Sequence, residues 1–197
     1  MKTALFVLLD QYADWEGAYL LSLLNQRDDW QIKTASNLSQ VESIGGLQTM
    51  IDFKISEIDR EFELLVLIGG NSWNIHSPEL YQIIEKQLIR GLPLAAICGA
   101  VDYLANHGFL EGYRHTGNDR FLWQDYPNYQ TPENFYERQA VSDRNLVTAN
   151  GTAALEFTEC TLQLIGDSLI QSKKEVDLYR LGYYGCLLYT SPSPRDA

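Results

Sequence analysis

Short apolar runs alternate with helical segments along this chain, and that alternation restricts the fold more than any other feature. Four runs have the length of buried strands: 5–9, 32–35, 64–68 and 94–97. Three segments are predicted helices: 15–25, 78–89 and 152–166. Strands that alternate with helices favour a mostly parallel central sheet with helices on both faces. We therefore predict an α/β fold.

Turn signals complete the predicted order of elements. Residues 43–47 indicate a turn in a small β excursion, and residues 139–148 resemble a hairpin. Gly108 is expected to end the helix that follows the strand at 94–97, because glycine commonly follows a helix. A short final helix is expected from Glu175 to about Gly182. Since no repeat or linker interrupts this order, we predict one domain over 1–185.

Length, charge and hydropathy exclude several classes of protein. A chain of 197 residues can bury the core of one domain. Its net charge of -11 argues against nucleic acid, whose phosphates require a basic surface. The apolar run near the N-terminus is too short to cross a membrane and lacks a cleavage site. We therefore expect no nucleic-acid partner and no membrane association.

The last residues are expected to be foreign to the protein. The segment 186–196 reads CLLYTSPSPRD, which resembles one translated frame of a sequencing-library adapter. It also carries no periodic apolar pattern. We assign 186–197 to a non-native tail, leave Cys186 out of the native cysteines, and expect the natural C-terminus to be missing after Tyr184.

The two remaining cysteines, Cys98 and Cys160, show no sign of structural pairing. Neither belongs to a Cys-x-x-Cys pair, so the sequence predicts no disulfide framework and no zinc site. A reducing, cytoplasmic setting is the default for such a chain. We expect no metal and no cofactor.

Cys98 lies where the apolar run 94–97 meets the segment opened by Gly99 and Ala100. A nucleophile on a tight strand-to-helix turn needs such small neighbours. The N-terminus of the helix would favour the reactive thiolate. A buried structural cysteine is the alternative, and the local sequence leaves both interpretations open.

Two other strand ends carry residues that could serve this cysteine. Glu16, one turn into the first helix, could reach the sulfur and exchange a proton with it. Alternatively, it could merely complement the helix dipole. Gly69 and Gly70 follow the central strand, where backbone N–H groups could line an oxyanion site or simply form a turn.

Three histidines are present, which limits the choice of a partner for Cys98. His107 lies at the far end of the predicted helix after Cys98 and is interpreted as its C-terminal cap. An extended return from Gly108 would bring His115 back to the strand ends, so His115 is the preferred assisting base. His76 is the second candidate, and each could instead be a surface histidine.

Four motifs together resemble the ThiJ/PfpI superfamily, which has the class I glutamine amidotransferase-like fold. They are Ala13-Asp14-Trp15-Glu16, Leu67-Ile68-Gly69-Gly70-Asn71, Ala95-Ala96-Ile97-Cys98-Gly99-Ala100, and the run 146–152 with Glu156-Phe157. The match spans about residues 3 to 166. Gly69-Gly70-Asn71-Ser72-Trp73 and His115-Thr116-Gly117-Asn118 resemble a bacterial branch described as type 1 glutamine amidotransferases or intracellular protease/amidases. The resemblance implies a flavodoxin-like three-layer sandwich with a nucleophile elbow.

The resemblance also implies roles for individual residues. Cys98 matches the elbow cysteine, Glu16 the carboxylate that bonds to it, and Gly70 and Gly99 the oxyanion positions. Protease-like members place histidine directly after the cysteine, where this chain has Gly99. No histidine follows His115, so the late His-x-Glu pair of glutaminases is missing and full glutaminase activity is not expected.

These features predict a cysteine-dependent hydrolase, amidase or glyoxalase-type enzyme for small carbonyl or amide substrates. A redox-sensing or stress-protective protein with an oxidisable cysteine is the alternative. The aromatic segment 120–135 is interpreted as a substrate lid, a dimer surface or a cover for the core. A homodimer is expected by resemblance alone.

Overall fold

The computed structural model describes residues 1–186. Seven strands of this part of the chain form the central sheet. The strands of the described chain are β1 (Lys2–Val7), β2 (Trp30–Ser36), β3 (Gln40–Glu42), β4 (Gln48–Met50), β5 (Phe53–Lys54), β6 (Leu64–Leu67), β7 (Leu94–Ile97), β8 (Ala140–Asp143) and β9 (Leu146–Ala149). Its helices are α1 (Asp14–Asn25), α2 (Pro78–Ile89), α3 (Gly99–Asn106), α4 (Ala154–Leu164) and α5 (Leu169–Cys186).

The order of the strands in the sheet is β5-β2-β1-β6-β7-β9-β8. Neighbouring strands are parallel, except that β8 runs antiparallel to β9 at the edge. The five strands from β2 to β9 have the flavodoxin-like order, in which the central strand ends face a shared crevice. The predicted α/β sandwich with a mostly parallel sheet is therefore confirmed.

The central strands are apolar along their whole length because helices cover both faces of the sheet. Leu5 and Leu65 belong to one core cluster, together with Leu80 of α2. Phe6 belongs to the other cluster, together with Phe157 of α4. Each face thus has its own buried layer, which fixes the strand ends against helices on both sides.

The aromatic segment 120–135 mainly covers the core. Trp123 is fully buried, and Tyr126, Tyr129 and Phe135 pack against the same cluster. Phe121 differs because 68% of its side chain is exposed. Two 3₁₀ turns, at 120–123 and 132–134, shape the segment.

The C-terminal region differs from the sequence prediction. The expected short helix at 175–182 is part of the longer α5, which contains a kink at Gly182, where φ is 75°. Its apolar residues are too scattered for periodicity to reveal its length. The proposed tail lies outside the described residues apart from Cys186. No helix within 1–186 combines the length and apolar character needed to cross a bilayer.

Candidate active site

Cys98 occupies a strained turn between β7 and α3. Its φ of 57° and ψ of -129° are unusual for a residue with a side chain. The backbone is held on both sides: its N–H donates to the Ala149 carbonyl at 2.9 Å, and its carbonyl accepts from the Val101 N–H at 2.8 Å. The surrounding strands therefore impose a conformation that projects the thiol at the strand ends.

Glu16 turns its carboxyl into the protein, beside this thiol. The side chain is fully buried, and Oε2 accepts a hydrogen bond from the Gly69 N–H at 2.9 Å. Within the described residues Oε1 has no partner at hydrogen-bond geometry, although the Cys98 thiol is close enough to interact with the carboxyl. Glu16 therefore does more than complement the dipole of α1.

The two groups titrate as a pair. Burial raises the pKa of Glu16 to about 7, against the lowering effects of the Cys98 thiol and the Gly69 N–H. Burial also raises the pKa of the Cys98 thiol to about 11, opposed by the Asn118 amide and reinforced by the charge of Glu16. The pair therefore keeps one proton between these values. The sequence predicted a thiolate favoured by the helix N-terminus, but burial and the carboxylate outweigh that effect.

Two glycines make room for the pair. A Cβ on Gly69 would lie 2.5 Å from both the Cβ of Cys98 and Oε2 of Glu16. A Cβ on Gly151, in the turn after β9, would lie 2.9 Å from the Cys98 sulfur and 3.1 Å from Oε1 of Glu16. Side chains at these two positions would displace the Cys98 thiol and the Glu16 carboxyl.

The two residues predicted for the oxyanion site lie together next to Cys98. Gly70 has a φ of 141°, which favours glycine, and a Cβ there would lie 2.3 Å from the Gln11 carbonyl oxygen. A Cβ on Gly99 would lie 2.8 Å from the Gly70 carbonyl oxygen. This close approach packs the loop after β6 against the start of α3.

Asn118 is a site residue that the sequence reasoning missed. Its Nδ2 donates to the Cys98 sulfur at 3.3 Å, and its Oδ1 accepts from the Gly151 N–H at 2.8 Å. These opposite roles fix the orientation of the amide. Asn118 belongs to the motif His115-Thr116-Gly117-Asn118, but the functional prediction made from that motif concerned only His115.

The structure does not bring His115 to Cys98. Its Nδ1 donates to the Tyr113 carbonyl at 2.7 Å, so Nε2 accepts from the Tyr129 hydroxyl at 2.9 Å. Burial lowers the pKa of the fully buried ring and keeps it neutral. The chain between Gly108 and His115 forms consecutive turns instead of the predicted extended return. The His115 ring packs among aromatic side chains that include Trp123.

The other histidines also lie away from the sulfur. His76 is exposed in the loop before α2 and lines a separate surface cleft with His107. His107 follows α3, with its Nδ1 at 2.9 Å from the Tyr103 carbonyl oxygen, as expected for a capping residue. Neither histidine has a hydrogen bond to Cys98 in the described chain.

Two clefts adjoin the neighbours of Cys98. The larger, of about 990 Å³, is bordered by Asn118 and by aromatic side chains of the covering segment. The smaller, of about 480 Å³, is bordered by Gly70 and Gly99. Among residues 1–186, no group of three or more histidine, cysteine or acidic side chains is placed to hold a metal ion.

A model of the DJ-1/PfpI family matches residues 2–164, which include the strained cysteine and the buried carboxyl. The chain belongs to the DJ-1/PfpI family. Its ThiJ/PfpI resemblance is thus confirmed over most of the described domain.

Two proteins of Bacillus subtilis are similar to this chain over most of its length. "Uncharacterized protease YdeA" of Bacillus subtilis is 48% identical over 194 residues, covering 98% of both chains. "Uncharacterized protease YoaZ" of the same organism is 40% identical over 158 residues, covering 74% of each.

Solved structures agree with this assignment. A thiJ/pfpI family protein from Bacillus anthracis superposes with a TM-score of 0.83 at 30% identity, covering 95% of this chain and 94% of its own. A DJ-1 superfamily protein from Agrobacterium tumefaciens also gives 0.83, at 28% identity, with coverage of 91% and 97%. The flavodoxin-like fold of the family is therefore shared.

Proposed function

We propose that this DJ-1/PfpI protein is a cysteine-dependent hydrolase that acts on small amide or related carbonyl compounds. The observation that carries the proposal is the strained elbow at Cys98 beside the fully buried carboxyl of Glu16. Strain of this kind persists only where the surrounding structure enforces it, and it concentrates at functional sites. The protease names of the Bacillus subtilis relatives agree with hydrolysis as the general reaction.

In the proposed reaction, Glu16 accepts the thiol proton as the Cys98 sulfur attacks the carbonyl carbon. The carbonyl π electrons move to the oxygen, which we assign to the N–H groups of Gly70 and Gly99. Collapse of this intermediate breaks the C–N bond, and the amine leaves with the proton held by Glu16. Water then hydrolyses the thioester, releasing the acid and restoring the thiol.

The neighbours of the sulfur favour this role for Glu16 over a histidine. Gly99 stands where the resemblance to the ThiJ/PfpI superfamily places histidine in protease-like members, and both ring nitrogens of His115 are engaged elsewhere. The pKa of Glu16, raised to about 7, suits a group that takes and returns a proton near neutral pH. Asn118 adds a hydrogen bond that favours the thiolate during attack.

Replacement of Cys98 and of Cys160, one at a time, tests the nucleophile. We expect Cys98→Ser to lower kcat/KM for a small amide by at least about a thousandfold, since the hydroxyl is a far weaker nucleophile in this setting. Cys160→Ser is the matched control and should keep the wild-type rate. Turnover would be followed by release of the amine, with methylglyoxal assayed in parallel. An unchanged rate in Cys98→Ser would contradict the proposal.

A redox role is the second candidate, and the hydrogen bond from Asn118 to the sulfur favours it. With peroxide as oxidant, the Cys98 thiolate would attack one peroxide oxygen, forming sulfenic acid as hydroxide leaves. Burial also raises the pKa of the Cys160 thiol to about 11. Unlike the Cys98 sulfur, however, the Cys160 sulfur accepts no hydrogen bond from a side-chain amide in the described chain.

The order of oxidation tests this second role. After mild peroxide treatment, intact-mass and peptide mass spectrometry should find Cys98 oxidised before Cys160. The Cys98→Ser variant should then gain no oxygen under the same conditions. Equal oxidation of both thiols would count against a redox function.

We also propose a small-molecule substrate, a homodimeric assembly and a cytoplasmic location. The first rests on the modest clefts beside Cys98, and the second on family resemblance. The last rests on the use of unpaired cysteines.

A further inference from the structure

The smaller cleft beside Cys98 is acidic and polar. Its described lining contains no lysine, arginine or histidine. Besides Gly70 and Gly99, it consists of Asn71, Trp73, Asn74, Asp102, Tyr103, Asn106 and Tyr126. Gly99, which follows Cys98 directly, borders this cleft.

Asp102 is the one charged side chain in that lining. It lies four residues after Cys98, about one helical turn or 6 Å along α3. Its Oδ1 accepts a hydrogen bond from the Trp123 indole at 2.7 Å, which holds the carboxyl in place. Burial raises its pKa, opposed by that hydrogen bond, and no cation forms an ion pair with it in residues 1–186. A cationic ligand would therefore relieve an unfavourable charge.

Tyr103 supplies a second unsatisfied group in the same lining. The residue is 3% exposed, and its hydroxyl has no hydrogen-bond partner in the described chain. Burial raises its pKa to about 12, so the hydroxyl stays neutral and can accept a hydrogen bond. Buried polar groups are usually satisfied, so this unpaired hydroxyl leaves the wall of the cleft incompletely hydrogen-bonded.

We propose that this cleft binds a cationic nitrogen group, an ammonium or guanidinium, of the substrate whose carbonyl is attacked by Cys98. Asp102 supplies the counter-charge, while the three asparagines supply hydrogen-bond acceptors. The inference rests on the proposed function, because it places the reacting carbonyl at the sulfur. The net charge of -11 would further attract a cationic substrate.

Charged thiol reagents test the cleft without requiring turnover. Two methanethiosulfonates of similar size would be compared, one with a trimethylammonium group and one with a sulfonate. In each reaction the Cys98 thiolate bonds to the sulfenyl sulfur, and methanesulfinate leaves with the electron pair. We expect faster labelling of Cys98 by the cationic reagent, measured by peptide mass spectrometry to separate Cys98 from Cys160.

Variants of Asp102 test whether its carboxylate causes the preference of Cys98 for the cationic reagent. Asp102→Asn keeps an acceptor for the Trp123 indole and should lower the cation-to-anion rate ratio by about tenfold. Asp102→Glu, which keeps the charge, should retain the preference. Asp125→Asn is the control because Asp125 is an exposed carboxylate in the covering segment, outside this lining, and its loss should leave the ratio near wild type.

The inference is overturned if wild-type Cys98 shows no preference for the cationic reagent, or if Asp102→Asn keeps the wild-type ratio. Thermal unfolding of each variant would show that the fold is intact. A protein that prefers the cationic reagent but hydrolyses no amide would retain the cation-binding cleft and lose only the proposed hydrolysis.

Discussion

At the scale of single residues, the carboxyl of Glu16 makes the protein sensitive to pH. Its pKa is about 7 in the folded protein, against an ordinary value of 4.5 for a glutamate exposed to water, so the folded state binds the proton more tightly. The free energy of unfolding therefore falls as pH rises from about 4.5 to about 7. A shift of this size corresponds to about 3–3.5 kcal/mol.

Glu16→Gln should remove this sensitivity. At pH 8 the free energy of unfolding of the variant should exceed that of wild type by about 3–3.5 kcal/mol, because the amide carries no buried charge. Below pH 4.5 the advantage should vanish, while amide hydrolysis should be lost at every pH. Urea unfolding at several pH values would measure the effect. Exposed Glu111→Gln should follow the wild-type profile, and a Glu16→Gln profile that still tracks wild type would contradict the assignment.

At the scale of elements, four strand ends assemble the site. Gly69, Cys98 and Gly151 follow β6, β7 and β9, while the loop after β1 leads into α1 and Glu16. Asn118 comes from the loop just before the aromatic segment 120–135 and joins the sulfur to the turn after β9. The geometry around the Cys98 sulfur thus depends on the parallel pairing of β6, β7 and β9. This pairing joins segments that are distant in the sequence, so no local pattern reveals it.

A partly buried ion-pair network ties α1 to the junction of α4 and α5. Arg27, just after α1, donates to Asp167 at 3.0 Å and to Glu175 at 3.0 Å. Arg27→Ala should lower the free energy of unfolding by about 1–2 kcal/mol, because two half-buried carboxylates lose their counter-charge. Denaturant unfolding would measure it. As a control, Lys2→Ala breaks the exposed ion pair with Asp29 and should change the free energy of unfolding little. If both variants lost the same free energy of unfolding, the stabilising role of the Arg27 network would be contradicted.

At the scale of the whole molecule, the alternation of strands and helices was readable because fully buried strands must be apolar. The run 94–97 became β7 and the segment 78–89 became α2, as predicted. The edge strand β5 is two residues long and α5 has scattered apolar residues, so neither gave a clear pattern.

Residue types and local spacing alone determined the layered α/β fold and pointed to Cys98 at a strand-to-helix turn. The motifs that resemble the family also predicted Glu16 as the partner of Cys98. Only the tertiary structure decided which side chains meet the sulfur. In the folded protein the His115 ring lies in an aromatic cluster, whereas Asn118, three residues later, donates a hydrogen bond to the Cys98 sulfur. The physical reason is that the direction of a side chain in an irregular segment depends on long-range packing, which no local period encodes.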